Sequence, residues 1–212
     1  MRVSAMIVLL TAVIFIAACN SAISPSGNNF RKAIDEYLTR QGEACTIIGR
    51  QFPIDLSRSA QKDQFGIGPK LAALEQAGLI RATDTTAVVH GMLDPLRGSR
   101  PAQPVKRYEL TEKGKKYFQQ MPGGPFGQAG GFCYGHKSVD IIVKWTEPSQ
   151  AGSSSQTEVT YTYKITDAAA WAQRPDVRQA FPDIQATLDG ISKKNEVAGL
   201  QLTNQGWEVP ER

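Results

Sequence analysis

Two stretches, Ser138-Val-Asp-Ile-Ile-Val-Lys-Trp-Thr146 and Thr157-Glu-Val-Thr-Tyr-Thr-Tyr-Lys-Ile-Thr166, decide the fold class of this chain. In each stretch, apolar or aromatic residues alternate with mostly polar ones, which is the period of a half-buried β-strand. The segment between them, Gly152-Ser-Ser-Ser155, has the composition of a loop. The two stretches therefore predict an antiparallel hairpin with one face packed against a core.

Helical patterns surround this hairpin, and shorter strand-like segments lie between them. Gly78 closes the second helical pattern, and Pro175 and Pro182 interrupt the third. The predicted helices are residues 30–39, 68–77 and 168–191, and the predicted further extended segments are residues 44–56, 85–89 and 105–110. This mixture of separate helices and an antiparallel hairpin predicts an α+β fold.

A family resemblance covers roughly 50 residues of the first half. Leu71-Ala-Ala-Leu-Glu-Gln-Ala-Gly-Leu-Ile80 and Tyr108-Glu-Leu-Thr-Glu-Lys-Gly-Lys-Lys-Tyr117 resemble the recognition-helix end and the wing of winged-helix regulators such as the MarR group. The resemblance implies a winged-helix-like first module, and the predicted β-hairpin and the helix after it form a second module. It concerns fold alone, because these leucines and glycines serve packing and turns.

A Gly/Pro-rich segment predicts the boundary between these modules. Met121-Pro-Gly-Gly-Pro-Phe-Gly-Gln-Ala-Gly-Gly131 has the composition of a linker. The predicted organisation is a signal peptide at 1–18, a flexible tether at 19–28, a winged-helix-like domain at 29–120, the linker at 121–131 and an α+β domain at 132–212. A Leu-Thr-x-x-Gly pattern occurs in both modules, at Leu110–Gly114 and Leu202–Gly206, through either a degenerate internal repeat or coincidence.

The N-terminal segment indicates the localisation of the protein. Arg2 precedes an apolar run that ends at Ile16 and is shorter than the about 20 residues of a spanning helix. The run ends in Ile16-Ala-Ala-Cys19, which resembles the lipobox of bacterial lipoproteins. The resemblance implies cleavage before Cys19 and acylation of its thiol, which anchors the protein to a membrane. Because Asn20 is not the aspartate associated with inner-membrane retention, the family rule favours the periplasmic face of the outer membrane over the inner membrane.

Two cysteines remain once Cys19 is assigned to lipid. An oxidising periplasm favours a Cys45–Cys133 disulfide over two free thiols. The alternative is a pair of buried thiols too far apart to bridge.

The charge of the chain is mildly basic. The net charge is +4, and removal of Arg2 with the signal peptide leaves +3. This excess allows contact with anionic lipid, lipopolysaccharide or nucleic acid without requiring it. The candidate interaction residues are Arg97, Arg100, Lys106 and Arg107 around a long wing-like loop, 91–104, and the sheet aromatics Trp145, Tyr161 and Tyr163. The alternative is that the loop has no binding role and that the aromatics are half-buried parts of the sheet.

No motif for catalysis, phosphate binding or dinucleotide binding occurs in the sequence. Cys133 and His136 have the spacing that begins some zinc sites, but a second ligand pair is missing, and His90 stands alone. We therefore predict no metal and no cofactor, and enzyme activity is unsupported.

These observations predict a lipid-anchored, periplasm-facing binding or assembly protein with a protein partner in the envelope. One alternative is an immunity protein against a secreted antibacterial toxin, which a neighbouring toxin gene would distinguish. Another is an envelope hydrolase, which converging carboxylates or His136 in a cleft would distinguish. Specific nucleic-acid binding is not expected, because the protein is exported and Lys70 is the only basic residue of the recognition-like helix.

Overall fold

The computed structural model describes residues 22–89, 101–122, 128–152 and 154–210. These residues form two antiparallel sheets packed against short helices. The strands are β1 (Glu43–Ile47), β2 (Ile54–Ser57), β3 (Ile80–Ala87), β4 (Gln103–Leu110), β5 (Phe118–Pro122), β6 (Gln128–Trp145), β7 (Ser149–Ala151), β8 (Ser154–Thr166), β9 (Glu196–Thr203) and β10 (Gly206–Glu208). The α-helices are α1 (Gly27–Gln41), α2 (Arg58–Lys62), α3 (Gly68–Gln76), α4 (Glu112–Lys115), α5 (Pro175–Ala180) and α6 (Pro182–Asp189), and a 3-10 helix spans Ala170–Gln173. The mixed, mostly antiparallel architecture agrees with the predicted α+β class.

The larger sheet has seven strands and is organised around β6 and β8. Its order is β1-β6-β8-β9-β10, with β5 beside β6 and β7 beside β8. The predicted hairpin is confirmed, since β6 and β8 pair antiparallel from His136 opposite Thr166 to Trp145 opposite Val159. The smaller sheet has the order β2-β4-β3, and α2 and α3 pack against it.

Helix α1 covers one face of the larger sheet. It begins after Ser26, whose hydroxyl accepts a hydrogen bond from the Asn29 amide, and it ends at Gln41, before Gly42, whose φ is +83°. Its buried face has helical spacing and contacts buried residues of β6, β8, β9 and β10. The α1 residues of this core are Phe30, Ala33, Ile34 and Leu38.

A second core joins residues from both halves of the chain. Leu71 and Leu74 of α3 pack in one cluster with Phe132 of β6, Trp171 of the 3-10 helix and Phe181. The two cores therefore do not follow the predicted division into residues 29–120 and 132–212. Sheet pairing explains the difference, because β1 lies beside β6 and brings the N-terminal segment into the larger sheet.

The predicted linker is strand at both ends. Met121 and Pro122 end β5, and β6 begins at Gln128, opposite Pro122. Residues 123–127 lie outside the described residues, as do 90–100 of the predicted wing-like loop. Pro175 and Pro182 each start a helix. Proline is tolerated there because the N–H that it lacks would have no hydrogen-bond partner in the first helical turn.

The N-terminal segment joins the fold earlier than the predicted tether allows. The Trp207 indole N–H donates to the Ile23 carbonyl at 3.0 Å, and α1 starts at Gly27. The predicted tether extended to residue 28, so its last part is fixed to the domain. Within the described ranges, no helix is long and apolar enough to cross a membrane.

The predicted disulfide is present. Cys45 of β1 and Cys133 of β6 are directly opposite each other, with 3.9 Å between their Cα atoms. The bridge links residues 88 positions apart and joins the strand that follows α1 to the long central strand.

The two Leu-Thr-x-x-Gly patterns form different local structures. Thr111 caps α4 by accepting from the Gly114 amide, whereas Thr203 starts the turn between β9 and β10 and donates to the Gly206 carbonyl. The shared pattern therefore does not mark a repeated element.

Candidate interaction surface

A bulged segment of β6 is held by two charged side chains of α1. The pairing of β6 with β8 shifts between Val139 and Ile141, which leaves Asp140 as an extra residue. The Asp35 carboxylate accepts from the Val139 amide at 2.7 Å, and the Arg31 guanidinium donates to the Val139 and Asp140 carbonyls at 2.8 and 2.7 Å. These hydrogen bonds satisfy backbone groups of β6 that would otherwise be free to pair with another chain, as the backbone of an edge strand is.

The face of the larger sheet toward α1 is apolar and closed. Val139, Val159, Tyr161 and Tyr163 are at most 4% exposed. The Tyr163 hydroxyl donates to the Thr187 carbonyl at 2.8 Å. Because both tyrosines belong to the core, the prediction that they contribute to a contact surface is wrong.

A charged pair closes the rim of this core. Lys137 Nζ lies 2.6 Å from both Glu196 carboxylate oxygens and 4.0 Å from the centre of the Tyr163 ring. The Tyr161 hydroxyl donates to the same carboxylate at 3.2 Å. Burial, and next the negative charge of Glu196, raise the pKa of Tyr161 well above its usual value, so this hydroxyl stays protonated. Lys137 and Glu196 neutralise each other's charge, and their contact joins β6 to β9 at the edge of this core.

The opposite face of the same sheet carries exposed aliphatic side chains. Lys144, Thr160 and Val197 form one cross-strand row, and directly paired residues in an antiparallel sheet share a face. Ile141, opposite Thr162, continues this face. Ile141, Val143 and Val197 are 56%, 49% and 63% exposed, and we call these three residues the aliphatic patch.

Trp145 is the predicted contact aromatic that remains accessible. It is 43% exposed, although its ring packs edge-on against Phe30 at a centroid distance of 5.4 Å. It therefore combines a structural contact with α1 and a surface that a partner can reach.

The basic residues predicted around the wing have different surroundings. Arg107 forms two hydrogen bonds of 2.8 Å to Asp55, and this guanidinium lowers the pKa of Asp55. Lys106 lies on the other face of β4, beside a cavity under α3. Arg97 and Arg100 lie outside the described residues, so the predicted basic surface is described for Lys106 and Arg107 alone.

The described residues contain no group of three or more histidine, cysteine, aspartate or glutamate side chains able to hold a metal ion. His136 is exposed, and Cys133 is consumed by the disulfide. His90 and Cys19 lie outside the described ranges.

The aliphatic patch was not predicted from the sequence. The predicted alternation put Ile141 and Val143 on the core side with Val139, but the bulge moves Ile141 to the outer face. Ile142 gave the available signal, because an isoleucine in the polar phase of a strand indicates a change of register.

Comparison with the models of known protein families, with curated proteins and with solved structures finds no match.

Proposed function

We propose that this protein is a lipid-anchored cell-envelope protein that binds a protein partner through the aliphatic patch. The exposure of Ile141, Val143 and Val197 carries the proposal, together with the outward face that Ile141 and Val197 share. Burial of exposed apolar side chains is favourable, so a partner surface that removes them from water stabilises the complex. Lys144 at the border supplies a charge that sets orientation more than affinity.

The proposed address is the periplasmic face of the outer membrane, with lipid on Cys19. The lipobox supports it, and the early attachment of the chain at Ile23 is compatible with an anchor four residues upstream. Two or three acyl chains give durable attachment, whereas one chain gives only reversible binding.

The proposal also includes a winged-helix-like unit that does not bind specific nucleic-acid sequences. The order β2, α2, α3, β3, β4 and α4 supports this finer assignment of residues 54–115. Lys70, the only basic residue of α3, lies 5.4 Å from the centre of the Phe181 ring and packs on the protein itself. A specific reader of DNA needs several cations that contact phosphates, so we favour a packing role for this unit.

Substitution of Cys19 by alanine tests the address. We expect the Cys19→Ala precursor to remain uncleaved by the lipoprotein pathway and unlabelled by radioactive palmitate, because the acceptor thiol is lost. Palmitate labelling and membrane fractionation of whole cells measure both effects. The matched variant Asn20→Asp keeps the thiol and should move the labelled protein to the inner-membrane fraction. Palmitate incorporation into Cys19→Ala would contradict lipidation at this residue.

Site-specific crosslinking tests the aliphatic patch. A photoreactive amino acid at Ile141 or Val197 is expected to give one discrete adduct in intact cells, because the partner covers both positions. The control position is Ile47 of β1, an isoleucine of the same sheet with a similar exposure of 54%. Ile141→Asp should abolish the adduct formed from Val197. No adduct from either patch position, or the same adduct from Ile47, would refute the proposed surface.

A further inference from the structure

An exposed tryptophan and an exposed isoleucine lie at the end of the domain where α1 begins. Trp145 is the last residue of β6, and Ile23, which is 40% exposed, precedes α1. Contacts through the core connect the two residues. The Trp145 ring packs on Phe30, and Phe30 packs edge-on against Trp207 at a centroid distance of 5.2 Å. Because the Trp207 indole donates to the Ile23 carbonyl, both exposed residues are fixed to the same packed unit. We call Trp145 and Ile23 the terminal pair.

The position of α1 explains why Trp145 remains partly uncovered. Trp145 lies directly opposite Val159, so its ring belongs to the face of the sheet that α1 covers. Helix α1 begins at Gly27, where an added Cβ atom would lie 3.9 Å from the Trp145 ring. The ring therefore lies beside the first residue of α1, and the helix does not extend far enough to cover the rest of it.

The chemistry of the terminal pair suits the boundary between lipid headgroups and acyl chains. Tryptophan is enriched at this boundary, because its large ring is apolar and its indole N–H is polar. The exposed charged residues closest to Trp145 in the sequence are Lys144 and Glu147, which carry opposite charges. Their charges cancel, so the contact does not require anionic lipid.

The proposed acyl group on Cys19 determines which surface lies next to the terminal pair. Four positions separate Cys19 from Ile23, which is fixed to the domain by its carbonyl. So few residues cannot carry Ile23 far from the lipid to which Cys19 is attached. Trp145 belongs to the same end of the domain, so the membrane is the surface that can cover both side chains.

We propose that Trp145 and Ile23 insert into the headgroup boundary of the membrane and form a second membrane contact beside the acyl chains. The contact rests on the proposed lipid anchor at Cys19. It is separate from the aliphatic patch, because Ile141 and Val197 lie on the opposite face of the sheet. Burial of the two apolar side chains stabilises one orientation of the domain on the lipid surface.

Tryptophan fluorescence of the lipidated mature protein in phosphatidylcholine vesicles tests this contact. Trp171 and Trp207 are buried, so Trp145 is the tryptophan that lipid can reach. Phosphatidylcholine brominated near the headgroup end of its acyl chains quenches an indole ring that inserts among them. We expect this lipid to remove roughly one third of the emission, because one of the three tryptophans inserts.

Three variants separate insertion from exposure alone. Trp145→Phe keeps an aromatic ring against Phe30 and should abolish the quenching. Adding Phe65→Trp to this variant places an indole at a fully exposed position in the turn before α3, and this indole should remain unquenched. Ile23→Ser retains all three tryptophans and should reduce the quenching about twofold, because the insertion loses apolar area.

Flotation of the protein with the vesicles reports the lipid anchor separately. Protein that floats without quenching would overturn the membrane contact and leave the anchor intact. Quenching that persists in Trp145→Phe, or equal quenching of the indole introduced by Phe65→Trp, would also overturn the contact. Protein that does not float would contradict both the anchor and the contact that rests on it.

Discussion

Removal of the Cys45–Cys133 disulfide is expected to lower the free energy of unfolding by about 4–5 kcal/mol. The bridge closes a loop of 88 residues, and in the chain-entropy model this cross-link restricts the unfolded chain by that amount. Urea unfolding of a chain that begins at Asn20, compared with its Cys45→Ala/Cys133→Ala variant, measures the difference. This chain contains only these two cysteines, so other thiols do not complicate the result.

Reduction supplies the control for the disulfide. A thiol reductant should shift the unfolding midpoint of the unsubstituted chain and leave that of the double-alanine variant unchanged. A difference below about 1 kcal/mol between the oxidised chain and the variant would mean that the bridge contributes little beyond the sheet pairing around it.

Phe30→Ala is expected to destabilise the protein by about 3–5 kcal/mol, the usual cost of truncating a buried phenylalanine. Phe30 is 0% exposed and lies edge-on between two tryptophans, with centroid distances of 5.4 Å to Trp145 and 5.2 Å to Trp207. The cavity would therefore form where α1 contacts both β6 and β10. Urea unfolding followed by tryptophan fluorescence reports the change directly, because two of the three tryptophans flank the site.

The same substitution at an exposed position gives the comparison. Phe65→Ala deletes an equal number of atoms from a fully exposed ring, so its effect should stay within about 0.5 kcal/mol. Equal destabilisation by Phe30→Ala and Phe65→Ala would show that the packing of α1 on the sheet contributes little to stability.

The sequence predicted well those elements whose pattern lies within a few neighbouring residues. The apolar spacing of α1, the glycine stop of α3 at Gly78 and the alternation of β8 all rest on neighbours within a few residues, and each element forms as expected. The disulfide was also predictable, because Cys45 and Cys133 allow only one pairing. These features need no knowledge of how distant segments meet.

The arrangement of the elements depends on contacts that the sequence does not display. Composition predicted a linker at 121–131, but the pairing of β5 with β6 makes both ends of that segment strand. Likewise, α1 falls almost entirely within the first predicted module, 29–120, yet packs on strands of the second. Long-range pairing also decides the face of Ile141, because the bulge at Asp140 reverses the alternation until a second register shift, between Ile142 and Lys144, restores it.

The hydrogen bond from Trp207 to the Ile23 carbonyl has a consequence for the proposed lipid anchor. With an acyl anchor on Cys19, the four residues up to Ile23 reach at most about 14 Å when fully extended. With that proposed anchor, so short a linker would keep the β10 end of the domain near the lipid headgroups and restrict its rotation. The proposed partner, if it lies in the same leaflet, would then meet the aliphatic patch within a thin layer, where even a modest intrinsic affinity acts at a high effective concentration.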